Sequence, residues 1–231
     1  MTKKLLYVAR IHNIPTFTQS ILKFIDREKF VKATKKIEEI NNNCWDTVLK
    51  KLENYETIDS AFFEGLFDER IVLLANYGGF SCISNMTPKK SEVCTLLLVK
   101  GARFEIAEDA KSHTSHVYFE KLRSLSDYWT KIDWLHRLLR PYYHIYGELV
   151  GRASEIFVRQ RDYYMGKRVS QKLRGVGFLS FGASHNPLGY VKLLAPDVTF
   201  EPLYSYTQTR KDWGALESYL KTLVTQKQQR N

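Results

Sequence analysis

Short apolar runs of strand length alternate along this chain with longer stretches of helical periodicity, and that alternation limits the fold more than any other feature. KLLYVARI (4–11), SAFFEGL (60–66), ARFEIAED (102–109), GVGFLSFG (175–182) and DVTFEPLYS (197–205) are five such runs. Runs this short and this apolar suit strands buried on both faces of a parallel sheet. The stretches between them are helical. Residues 19–54 carry apolar positions at three-four spacing, which predicts two amphipathic helices separated near Asn41–Asn43. ERIVLLANYGG predicts a short helix stopped by Gly78 and Gly79, and SEVCTLLLVKG (91–101) one closed by Gly101. A stripe of large apolar residues over 115–149 predicts a long helix with Pro141 as a kink point, followed by helices over 152–173 and 209–227. The expected fold class is α/β: a single domain over 1–231, a mainly parallel central sheet flanked by helices, and a long helical segment near 115–173.

Composition removes several alternatives. With 231 residues, 44% hydrophobic, and 14 Tyr and 13 Phe, the chain has enough apolar surface for a sizeable core and is neither disordered nor collagen-like. No run approaches ~18 uninterrupted apolar residues, so no membrane span is expected. The start, MTKKLLYVARIHN, breaks too early for a signal peptide. Three cysteines, Cys44, Cys82 and Cys94, lack metal-ligand spacing and fit a reducing compartment, so a cytoplasmic location is expected. The net charge of +10 leaves nucleic acid open as a partner. The basic residues are nevertheless scattered among acids, the C-terminal KTLVTQKQQR excepted.

In open parallel sheets ligands bind beyond the carboxyl ends of the strands. That rule singles out His12 after the first run, Glu64 at the exit of the second, and Glu105, Glu108 and Asp109 at or near the end of the third. It adds His185 just past the fourth. Two histidines and a carboxylate, His12, His185 and Glu64, are a donor set for a divalent metal (Mn, Fe, Co or Zn). They equally suit a metal-free acid/base pair. Gly182 and Ala183 let the backbone turn tightly before His185, and Asn186 offers an amide to substrate or turn; Glu105 is a further substrate-side candidate. Arg161–Asp162 lies in a helix whose apolar positions face the sheet, where the guanidinium would clamp an anion or pair with the carboxylates. His113 and His116 have i, i+3 spacing but no acidic motif to match, and HTSH reads as a loop entering the long helix. GVGFLSFG lacks dinucleotide spacing, and neither Ser184 nor any cysteine has the context of a nucleophile.

YVARIH (7–12), FFEGL (62–66), RQRDYYMGKRVSQKL (159–173) and FLSFGASHN (178–186) together resemble a superfamily. It comprises the TraB and TIKI metalloprotease-like proteins, the haem-binding ChaN-like proteins and the erythromycin esterases. VKGARFEIAED resembles a segment of uncharacterised prokaryotic relatives. Ala9 stands where the first family motif, Gly-x-x-His, has glycine. The resemblance implies a site of His12, Glu64, Arg161, Asp162 and His185. It does not imply one reaction, since members are described as metal-dependent peptidases, as esterases with a histidine base, and as haem binders, haem being the less expected here.

Two functions follow as expectations. The first is a hydrolase of a peptide, ester or related bond, its water activated by a metal on His12, Glu64 and His185 or directly by a histidine base, with Arg161 stabilising the developing negative charge. The second is a nucleic-acid- or protein-binding module of a larger assembly, using a basic, aromatic-rich surface. The aromatic stretch 118–146 also hints at a homo-oligomeric contact or a helical lid.

Overall fold

All five apolar runs become strands of one sheet. In the computed structural model the described residues are 3–11, 27–83, 86–115, 118 and 133–225, and the side chains of 27, 29, 82, 133–147, 224 and 225 lie outside that description. Strands β1 (Lys4–Arg10), β2 (Ser60–Phe63), β3 (Arg103–Glu105), β4 (Val176–Gly182) and β5 (Thr199–Tyr204) pair in the order β3-β2-β4-β1-β5, every pair parallel. Helices α1 (Arg27–Leu52), α2 (Glu69–Asn76), α3 (Pro88–Val99), α4 (Asp133–Lys172), α5 (Pro187–Leu194) and α6 (Tyr206–Thr225) connect and follow them. The fold is α/β, as the alternation predicts.

Strand order dictates which helix covers which face. Crossovers between parallel strands are right-handed, so connections running in opposite directions along the sheet lie on opposite faces. The connections β1→β2 and β2→β3 run one way, and their helices α1, α2 and α3 share a core with Leu6, Val8, Ala61, Phe63, Phe104 and Phe178. The connections β3→β4 and β4→β5 run the other way. Their helices α4 and α5 pack Met165, Val169, Leu173 and Val191 on Leu5, Ala9, Phe62, Leu179 and Phe181. The alternation along β1 is the period-2 geometry of a strand with both faces covered. A third cluster joins α1 to α6 through Ala33, Ile37, Ile40, Leu216 and Leu220, and includes Ile11 just past β1.

Helix ends follow local chemistry. The Asp68 side chain accepts from Arg70 N at the start of α2, and Thr87 does the same for Lys90 N at the start of α3, with Pro88 in the first turn. Gly78 and Gly101 take positive φ just beyond the ends of α2 and α3, as their sequence positions predict.

The boundaries differ in two helices. Asn41–Asn43 do not divide residues 27–52; α1 runs straight through, with Asn41 buried and Cys44, Trp45, Val48 and Leu52 in the core behind it. The weak helix propensity of asparagine, a few tenths of a kcal/mol per residue, is small against burial of a Trp and two aliphatic side chains. Likewise no break separates a helix ending near 149 from one starting at 152: α4 is continuous through Pro141 and Gly151. Residues 116–117 and 119–132, the first part of the expected long helix, lie outside the described residues.

Candidate active site

The parallel order creates one place where neighbouring connections diverge. From β2 the chain leaves toward β3, and from the adjacent β4 it leaves toward β5 on the other side of the sheet. Such a switch point opens a crevice at the carboxyl ends of the two strands. Glu64 immediately follows β2 and His185 lies three residues beyond β4, so both flank it.

Local backbone geometry fixes each group. After Glu64 the chain turns at Gly65, whose φ is 89°, and Leu66 N bonds back to Phe63 O at 3.0 Å. The Leu66 carbonyl then accepts from both Ala107 N (2.9 Å) and Glu108 N (3.1 Å), which sets Glu108 beside the β2 exit. His185 N bonds to Gly182 O at 2.9 Å, closing the turn after β4. The third partner comes from α4, which presses so closely on α5 that a Cβ on Gly166 would stand 2.5 Å from Tyr190 Cβ and 3.0 Å from the Pro187 carbonyl.

The result is one buried network. Arg161 Nη2 donates to Glu64 Oε1 (3.1 Å) and Glu108 Oε1 (2.7 Å), and Nη1 lies 3.5 Å from His185 Nε2. His185 Nε2 is 3.2 Å from Glu64 Oε1, and Nδ1 is 2.7 Å from Asp162 Oδ1. The backbone completes it: Gly182 N donates to Glu64 Oε2 (2.6 Å) and Asn186 N to Asp162 Oδ2 (2.8 Å). The Tyr206 hydroxyl donates to the His185 carbonyl at 2.7 Å. Glu64, Glu108, Arg161, Asp162 and His185 are each more than nine-tenths buried.

Electrostatics follows from that composition. Burial alone would drive His185 neutral, but Glu64 and Asp162 outweigh it and raise the imidazole to about 9. Asp162 on Nδ1 holds the ring so that Nε2 points toward Glu64 and Arg161. Burial likewise opposes the Arg161 charge, and Glu108 and Glu64 more than restore it.

Of the residues expected to form a site, Glu64, Arg161, Asp162 and His185 come together. His12 lies outside the described residues. Glu105 does not enter: it stands in register with Phe62, two residues short of Glu64, and its carboxylate lies 3.5 Å from Arg103 Nε. The acid that enters from this segment is Glu108. Asn186 serves through its backbone, while its side chain accepts from Gly189 N as the cap of α5. His113, read as loop, falls in a helical turn at 110–115 and places Nδ1 2.8 Å from Glu108 Oε2, its ring stacked on Phe67. Three acids within five residues of a strand end mark the segment in the sequence; which of them turns inward depends on where β3 stops.

For a metal, Glu64 and His185 supply two donors by type, with Asp162 as the partner orienting the imidazole. The Arg161 guanidinium, however, already lies between Glu64 and Glu108 and 3.5 Å from Nε2. A divalent ion there would face a fixed cation. Among the described residues no group of three His, Cys, Asp or Glu side chains has the arrangement to hold a metal ion. Nor is any described helix long and apolar enough to cross a membrane. The chain matches no family model, no curated protein and no solved structure.

Proposed function

We propose that the chain is a hydrolase of an ester, peptide or related bond that activates water at the Glu64–His185 pair without a resident metal. The observation carrying this reading is the relay Asp162–His185–Glu64 with Arg161 against it, assembled from three separate segments at the ends of β2 and β4. In the neutral ring, Asp162 holds the proton on Nδ1 and leaves Nε2 to accept one from water. The water oxygen attacks the acyl carbon, its proton passes to Nε2, and the guanidinium faces the oxyanion that forms. The proton then moves from Nε2 to the leaving group, restoring the neutral imidazole. A histidine raised to about 9 is mostly protonated at neutral pH, so this chemistry is favoured in alkaline conditions.

The test is hydrolysis of a panel of activated esters, lactones and peptides across pH, run with elemental analysis of the purified protein. The expected result is kcat/KM rising with pH through a midpoint near 9, unaffected by chelator, and falling at least ~100-fold in His185→Gln. Stoichiometric bound metal on which activity depends would overturn the metal-free form of the reading. Absence of hydrolysis on every class would overturn the reading itself.

A protein-binding role is the second reading, supported by Leu73, Leu74 and Tyr77, all exposed on or next to α2. Under it, Leu74→Glu abolishes association in light scattering while His185→Gln does not.

A further inference from the structure

The outer side of α4 lines up charges that are interrupted in the sequence. Residues 149–174 hold seven Lys and Arg against Glu155 and Asp162, which is half of the chain's net +10. Arg161 and Asp162 are buried in the candidate active site. Of the rest, Arg152, Arg159, Arg168, Lys172 and Arg174 are exposed, Lys167 is half-buried, and Glu155 is the one exposed acid. Residues three and four apart share a side of a helix. Val150, Ser154, Arg161, Met165, Val169 and Leu173 form the buried side of this stretch. Leu149, Arg152, Ile156, Arg159, Tyr163 and Lys167 advance by the same steps along the opposite side, and Arg174 follows where the helix ends. From Arg152 to Lys167 that line runs about 22 Å.

Other charged faces of the molecule are built differently. Lys32 pairs with Glu28, Lys36 with Glu39, Lys89 with Asp46 and Glu92, and Lys221 with Glu217. Among the described residues none of the six α4 cations is in an ion pair, although Glu155 stands three residues after Arg152 and four before Arg159. A line of like charge repels itself, and a partner with negative charges at repeated intervals relieves it. Arg152, Arg159, Arg168 and Arg174 bring planar guanidinium forks, which take two phosphate oxygens each. Tyr163, 39% exposed between Arg159 and Lys167, has its ring held edge-on by Tyr190 at 5.7 Å, so an unstacked base meets a fixed ring between two cations. A bilayer suits this side less well. Leu149, Ile156 and Tyr163 interleave with the cations instead of forming an apolar face, and the continuous apolar side of α4 is already in the core.

We propose that the outer side of α4, from Arg152 to Arg174, binds the phosphodiester backbone of a nucleic acid. It lies on the opposite side of the helix from Arg161 and Asp162, and does not depend on the Glu64–His185 pair being hydrolytic.

Fluorescence anisotropy of the full chain with a labelled single-stranded DNA of about 20 nucleotides tests it, in salt from about 50 to 200 mM. About four phosphate contacts on a single strand give a log–log slope near −3, so affinity is expected to fall roughly 60-fold over that range. Arg159→Gln combined with Lys167→Gln is expected to halve the slope and to weaken binding at least ~10-fold at the lowest salt. Lys35→Gln combined with Lys50→Gln makes the same change in net charge at exposed positions of α1, across the sheet, and is expected to leave affinity within about two-fold. None of the four side chains is in the core, so both pairs of substitutions are expected to keep the parent's Tm. A duplex of the same length assigns the source: tighter binding of the single strand shows bases stacked on Tyr163, and equal or tighter binding of the duplex shows contact with the backbone alone. Equal loss in the two pairs of variants, binding that ignores salt, or no binding at the lowest salt would overturn the proposal. Capture by anionic phospholipid vesicles without oligonucleotide binding would overturn it too.

Discussion

Arg161 carries more of the site than any other side chain, since one nitrogen serves Glu64 and Glu108 at once. Its replacement by methionine would leave two carboxylates buried without their cation. Loss of one partner of a buried ion pair typically costs about 3–5 kcal/mol. Arg161→Met is therefore expected to lower stability by that order in urea unfolding, far more than Lys221→Met on the exposed face of α6, where the pair with Glu217 contributes about 0–1 kcal/mol. Asp162→Asn is expected to lower the pKa of His185, because the substitution removes the negative charge on Nδ1; NMR titration of the ring reads it directly. Arg161, Asp162, Glu64 and His185 were legible as candidates because each sits at a strand exit or on the sheet-facing side of a helix. Glu108 and His113 were less so. Both depend on the Leu66 carbonyl gathering residues 107 and 108, a contact between segments some forty residues apart.

At the level of elements, the contact between α4 and α5 sets the distance from Arg161–Asp162 to His185. Gly166→Ala gains about 1 kcal/mol of helix propensity but drives a Cβ against Tyr190 and the Pro187 carbonyl, where overpacking typically costs about 1–3 kcal/mol. The clash wins, since backbone is among the atoms that must yield. The variant is expected to melt lower and to weaken the Asp162–His185 contact. Gly214→Ala in α6 is the counterpart: nothing lies within 4 Å of its added Cβ, so stability is expected to rise by about 0.5–1 kcal/mol. The pair of melting curves separates propensity from packing. Helix periodicity and caps identified these elements in the sequence, but it misplaced two boundaries. Asn41–Asn43 look like a break by propensity, and the core behind them holds α1 continuous, while α4 runs on through Gly151.

For the molecule as a whole, two buried bases shape stability against pH with opposite sign. His185 is raised in the folded state, so its contribution is fully present below about 6.5 and is lost as pH rises through about 9. Lys90 is lowered to about 7, so the folded state is penalised below that value and the penalty is relieved as pH climbs toward 10.5. Between pH 7 and 9 the two trends oppose each other, and the parent's unfolding free energy is expected to vary little there. His185→Gln would leave a rise from about 7 to 10.5, and Lys90→Met a fall from about 6.5 to 9. Denaturant unfolding at half-unit pH steps distinguishes the three curves; identical slopes in all of them would refute the assignment of either group.

The sequence by itself determined the class of fold, because the apolar runs that become β1, β2 and β4 must be buried on both sides and helical stripes are what cover them. It also marked the strand exits, since polar residues can return only where the sheet ends. What the tertiary structure alone decided was the order β3-β2-β4-β1-β5. That order makes β2 and β4 neighbours. It thereby places Glu64 within 3.2 Å of a histidine 121 residues further along the chain. The Leu66 carbonyl then brings Glu108, and not Glu105, to the guanidinium that Glu64 shares. Periodicity records whether a residue faces a core; only strand order records which other residues it meets there.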